Sequence, residues 1–119
     1  MKKDASYHIL RIAVGITFVW IGILIFQSPE AWGGFVEPWV ENLLPLPLKD
    51  IMLATAAVDV VIGFFLLVDV YVWIFGFLGA LHLATVLITS GITAVTVRDI
   101  GLLGGLIAIT LVSWKTKAR

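Results

Sequence analysis

A chain of 119 residues is long enough for one domain, and its formal net charge of zero removes the broad basic surface that nucleic acid needs. Hydrophobic residues make up 61% of it and charged residues 13%, against roughly a quarter charged in ordinary soluble domains, so a water-soluble core this small could not hide the apolar surface. The absence of cysteine excludes a disulfide, thiol redox chemistry, a thiolate-held iron–sulfur cluster and a cysteine zinc site within this chain.

Apolar stretches long enough to cross a ~30 Å hydrocarbon core at ~1.5 Å per residue occur four times, predicting spans at about 9–26, 51–68, 72–90 and 93–114. The first stops at Ser28-Pro29, because proline lacks an amide donor and disfavours helix in the residue before it. Its length, and the Gln27-Ser28-Pro29-Glu30 that follows without a small-x-small cleavage pattern, predict a retained helix rather than a signal peptide. The long connection that follows holds all four prolines, Trp32 and Trp39, and the acids Glu30, Glu37, Glu41 and Asp50 against Lys49. From Phe35 to Leu44, the apolar Phe35, Val36, Trp39, Val40, Leu43 and Leu44 recur at helical spacing with Glu37, Glu41 and Asn42 opposite, which predicts a short amphipathic helix in the membrane interface. Only Asp69-Val70-Tyr71 separates the second span from the third, so those two form a tight antiparallel hairpin. The fold class expected is all-α: one domain, residues 1–119, forming an integral membrane four-helix bundle with an amphipathic interfacial segment between helices 1 and 2.

Lys2 and Lys3 precede the first span, and Lys115, Lys117 and Arg119 follow the fourth. Positive charge marks the cytoplasmic side, so a multi-pass protein of the cell membrane is expected, with both termini cytoplasmic and the acidic connection outside. Tyr7, Tyr71, Trp73 and Trp114 then fall at the inner interface and Trp32 and Trp39 at the outer one, as an aromatic belt.

Arg11, Asp59, His82, Arg98 and Asp99 lie within the spans, with Asp69 at an inner helix end. Isolated charges at bilayer depth are costly, so these six form a candidate buried polar network that faces itself or water. Arg11 shares a helical face with Gly15 and Gly22, Asp59 with Ala56 and Gly63, His82 with Gly76 and Gly79, and Arg98 with Gly101 and Gly105; small residues mark close helix approach, so the polar side chains should point inward. Asp59 lies about 12 Å below the outer boundary and His82 about 15 Å above the inner one, nearly level with each other. Arg98 would reach down to Asp59, and Asp69 is the acid nearest Arg11. Mutual neutralisation that sets helix register explains these groups as well as a function does. His8 and His82 lie at different depths, which argues against a haem-ligand pair, and no metal site, nucleotide motif or covalent nucleophile is expected.

Four stretches resemble the DoxX family of small four-helix membrane proteins: Leu10-Arg11-Ile12-Ala13-Val14-Gly15, Phe18-Val19-Trp20-Ile21-Gly22, Ser28-Pro29-Glu30-Ala31-Trp32, and Arg98-Asp99-Ile100-Gly101-Leu102-Leu103-Gly104. Two positions depart from the family's pattern. Ile25 stands where many relatives carry lysine, and Asp59 where they often carry glutamate. The resemblance implies a small membrane subunit accessory to a quinone-linked redox assembly. Quinone would be the group bound, no cofactor being held within the chain itself, and electrons would come from a partner. The alternative is a non-catalytic structural or assembly subunit, packed against other membrane proteins or against copies of itself in the lipid bilayer. A transporter is less favoured, since broken helices and inverted repeats are missing.

Overall fold

The computed structural model describes residues 3–94 and 96–116, so that Lys2, Lys117 and Arg119 lie outside the described residues. Among those described, the chain is all-helical, without strand. Six helices follow one another: α1 (Ala5–Gln27), α2 (Pro29–Gly33), α3 (Pro38–Glu41), α4 (Leu48–Leu67), α5 (Val72–Ser90) and α6 (Arg98–Thr116). Three of them, α1, α4 and α5, are long and apolar enough to cross a membrane. The molecule is 43 Å long, against ~40–45 Å for a bilayer with its headgroups. Ile9, Trp20, Phe64, Phe77 and Ile88 stand exposed on the outer helix faces, an arrangement suited to lipid contact.

Local chemistry sets the helix ends. Asp4 caps α1, its carboxylate accepting from the amides of Ser6 and Tyr7. The single amphipathic helix expected from Phe35 to Leu44 is not formed. Pro38 has no amide hydrogen to continue a helix but is well suited to begin one, so only the one-turn α3 forms within the segment, after a turn that follows α2. The segment is still amphipathic in pieces: Val40 is buried while Phe35, Trp39 and Leu43 are exposed. Its backbone is tied to α5 by the Glu37 amide, which donates to the Thr89 carbonyl at 2.8 Å.

The hairpin between α4 and α5 closes with a left-handed residue, Asp69, at φ 60°. The Val70 amide donates to the Phe65 carbonyl and the Asp69 amide to that of Leu66, the pair of bonds that ends a helix in a Schellman turn. Glycine usually holds this position, but aspartate tolerates it better than most residues.

The fourth long helix starts later than expected, at Arg98 rather than near Thr93. Gly91, at φ 69°, turns the chain out of α5. Thr93 and Thr96 then satisfy each other's backbone, each amide donating to the other's hydroxyl oxygen at 2.8 and 3.0 Å. Threonine side chains that bind nearby amides compete with helix, and here they hold the start of α6 back to Arg98.

Glycines decide the closest packing. α1 and α4 run antiparallel, Gly15 meeting Gly63 and Gly22 meeting Ala56; a methyl group on Gly63 would lie 2.7 Å from the Gly15 carbonyl oxygen. On the other side Gly76 lies against Thr110 and Gly79 against Leu106, bringing α5 onto α6. α4 also touches α5 and α6 touches α1, so the four long helices close a ring. α1 and α6 meet where Gly105, near the middle of α6, faces Leu10 and Val14 in the N-terminal half of α1. One apolar core gathers there around Phe18, Ile62, Leu66, Leu106 and Ile109, and a smaller one, Ile25, Met52 and Ala56, lies beneath α2.

Candidate functional site

The half of the ring that adjoins the proline-rich connection is not filled. Phe18 and Leu83 of the larger core and Ile25 and Met52 of the smaller one form walls of a cavity of about 640 Å³. Trp32, Phe35, Val36, Val40 and Leu44 of the proline-rich connection also line it. Most of its wall is apolar, and its charged residues are Asp59, His82, Arg98 and Asp99.

Asp59 and His82 form an ion pair, His82 Nε2 lying 2.8 Å from Asp59 Oδ1. The carboxylate side chain is only 7% exposed and the imidazole 18%, so the two are shielded together. A ring nitrogen bound this way leaves the other, Nδ1, for a ligand, and the carboxylate orients the ring. The expected pairing of Arg98 with Asp59 is corrected by this arrangement. With α6 beginning at Arg98, the arginine sits in an exposed first turn and its charge bears on the adjacent Asp99. Asp99 is half-buried and within electrostatic reach of Asp59 and His82. Four of the six residues singled out by sequence therefore line one cavity.

Thr55, Thr85 and Thr89 also line it, and each donates its hydroxyl proton to a carbonyl one turn back, to Ile51, Leu81 and Thr85 respectively. They meet a ligand as acceptors. The imidazole is a donor in this wall when Nδ1 carries a proton, and the guanidinium of Arg98 at the wall's edge is another; the three threonines are not legible in the sequence as cavity groups, although their spacing on α4 and α5 is helical.

The remaining two, Arg11 and Asp69, meet at the opposite end of the ring, with Arg11 Nε 3.7 Å from Asp69 Oδ1. This is the pairing expected. The stronger attachment was not foreseen: Arg11 Nη1 donates to the Leu66 carbonyl at 2.6 Å, which also accepts from the Asp69 amide, and to that of Leu67 at 3.0 Å, both at the C-terminus of α4. His8 Nδ1 accepts from Arg11 at 3.3 Å, completing the clasp. Tyr7 lies beneath it fully buried beside Ser113, so it is part of the core and not of an aromatic belt, unlike Tyr71, Trp39 and Trp114, which stand exposed. Gly101, read as a packing position, instead lines the cavity, and a methyl group on it would meet nothing within 4 Å.

The sequence matches no protein-family model, no curated protein and no solved structure, so any functional reading rests on the site itself.

Proposed function

We propose that the protein is a four-span membrane subunit of the DoxX type that holds a quinone ring in the outer half of its bundle and serves a membrane redox assembly. The observation that carries the reading is the Asp59–His82 pair at 2.8 Å in the wall of an otherwise mainly apolar cavity. A quinone is a flat apolar ring with a hydrogen-bond acceptor at each end, and such a ligand needs an apolar slot with a donor at a fixed place. In its protonated form His82 offers that donor at Nδ1. Reduction of a quinone to a quinol consumes two electrons and two protons. The imidazolium gives one proton to the nearer ring oxygen as two electrons arrive from a partner, the second proton reaches the far oxygen from water, Asp59 keeps the imidazole oriented, and the neutral imidazole left behind accepts from the quinol hydroxyl. With no cysteine in the chain, thiol chemistry belongs to the partner.

A fourth crossing by α6 supports this topology, because α6 packs between α5 and α1 and buries Leu106, Ile109, Val112 and Ser113. On the positive-charge rule, Lys3 and Lys115 put both termini in the cytoplasm, and the protein in the cell membrane. A second reading, a non-catalytic assembly subunit, is favoured by the outward face of α6, where Gly104 is exposed and open to a neighbouring helix or a second copy of the chain.

Saturation binding of a benzoquinone to the purified protein in lipid nanodiscs separates the two. Saturable binding that His82→Gln and Asp59→Asn each weaken about tenfold or more, with the melting temperature close to wild type, is the expected result. Binding that is absent, or indifferent to both variants, leaves the assembly-subunit reading.

A further inference from the structure

Two hollows meet at His82. The interior cavity lies on one side of the seam between α4 and α5; a shallow groove of about 480 Å³ runs along the same seam, and His82 and Thr85 are the residues that line both. The rest of the groove is apolar, with Ala57 and Val61 from α4 and Leu78 and Leu81 from α5, all four exposed on the outside of the ring. Nothing polar in the groove except His82 and Thr85 can hold a headgroup, and both stand at the end that adjoins the cavity.

We infer that the groove holds the apolar tail of the ligand whose ring occupies the cavity, and that His82 stands at a lateral passage between bilayer and interior. The inference rests on the quinone reading above and adds the class of ligand. Ala57 and Val61 lie mid-way along α4, and Leu78 and Leu81 mid-way along α5, so in a spanning bundle the groove opens near the bilayer centre. Charged headgroups stay at the membrane surface because the hydrocarbon centre is costly to them. A ligand arriving at this depth therefore has an uncharged, hydrogen-bonding ring and a long hydrocarbon chain: a neutral lipid of the prenylated-quinone kind, not a phospholipid. Specificity for the chain comes from the groove, and specificity for the ring from the Asp59–His82 pair.

The test uses the full-length protein in nanodiscs and two probes, a benzoquinone with a decyl chain and the same ring without it. Wild type should bind the chained probe at least about tenfold more tightly than the bare ring after correction for partition into lipid. Ala57→Trp and Leu78→Trp, which fill the groove from its exposed side, should remove most of that difference and leave bare-ring binding unchanged; Leu111→Trp, exposed on α6, should do neither. Equal affinity for the two probes in wild type, or groove variants that bind the chained probe as wild type does, overturns the inference while the ring site stands. Failure of both probes to bind wild type overturns the inference and the quinone reading together.

Discussion

Arg11 reaches across from α1 to the end of α4 and bonds the Leu66 carbonyl at 2.6 Å, a shorter and more buried contact than its ion pair with Asp69 at 3.7 Å. The guanidinium is thus a C-terminal cap for a neighbouring helix. The contact is buried, so the guanidinium takes the place of water at the last carbonyls of α4. The acid beside it is about one-third exposed and contributes less.

Arg11→Met should therefore destabilise the protein by about 2–3 kcal/mol, since it strips charged donors from two carbonyls. Asp69→Asn should cost less than about 1 kcal/mol. Thermal unfolding of both variants in the same detergent gives the ranking. An Asp69 variant as damaged as the arginine variant would make the ion pair, and not the cap, the dominant contact.

For the pair in the cavity wall, a double-mutant cycle of Asp59→Asn and His82→Gln should yield a coupling of about 1 kcal/mol, in the range of interhelical hydrogen bonds within membranes. The same cycle built with Asp59 and Arg98→Gln should show almost none. Coupling to Arg98 that exceeds coupling to His82 would mean that the pairing is different in the bilayer.

At the tightest helix crossing, Gly63→Ala places a methyl carbon 2.7 Å from the Gly15 carbonyl oxygen and 2.8 Å from the Val19 amide nitrogen, both backbone atoms that cannot move alone. The cost should be about 1–3 kcal/mol of overpacking. Gly101→Ala meets nothing within 4 Å and should be close to neutral in the isolated protein. Unfolding midpoints in detergent compare the two directly.

Topology supplies a further prediction. Reporter fusions after residue 119 and within residues 27–50 should register opposite sides of the membrane, the C-terminal one cytoplasmic. The same side for both would show that α6 does not cross.

Membrane character, three of the long helices and the burial of Arg11 and Asp59 are legible in the order of residues, whereas Arg98, expected to point inward, is exposed. The expected span at 72–90 coincides with α5, and those at 9–26 and 51–68 differ from α1 and α4 by a few residues at their ends. These features are local: hydrophobic length and helical periodicity act within one segment, and the pairing of Arg11 with Asp69 followed from depth alone. The interfacial helix from Phe35 to Leu44 failed because periodicity was weighed above Pro38, a local signal that was present.

Other features depend on contacts between segments distant in sequence, and only the tertiary structure decided them. Reciprocal bonds between Thr93 and Thr96 delay α6 by about one turn, and this leaves Arg98 beside Asp99 and gives Asp59 to His82. Depth counting had put Asp59 within reach of both partners and could not choose, since rise per residue measures height along a helix but not its rotation or the point at which a loop releases it. The cavity likewise belongs to no single helix. It exists because α1 and α6 meet at Gly105, while the bulky connection around Trp32 and Val36 lines the other half of the ring without filling it.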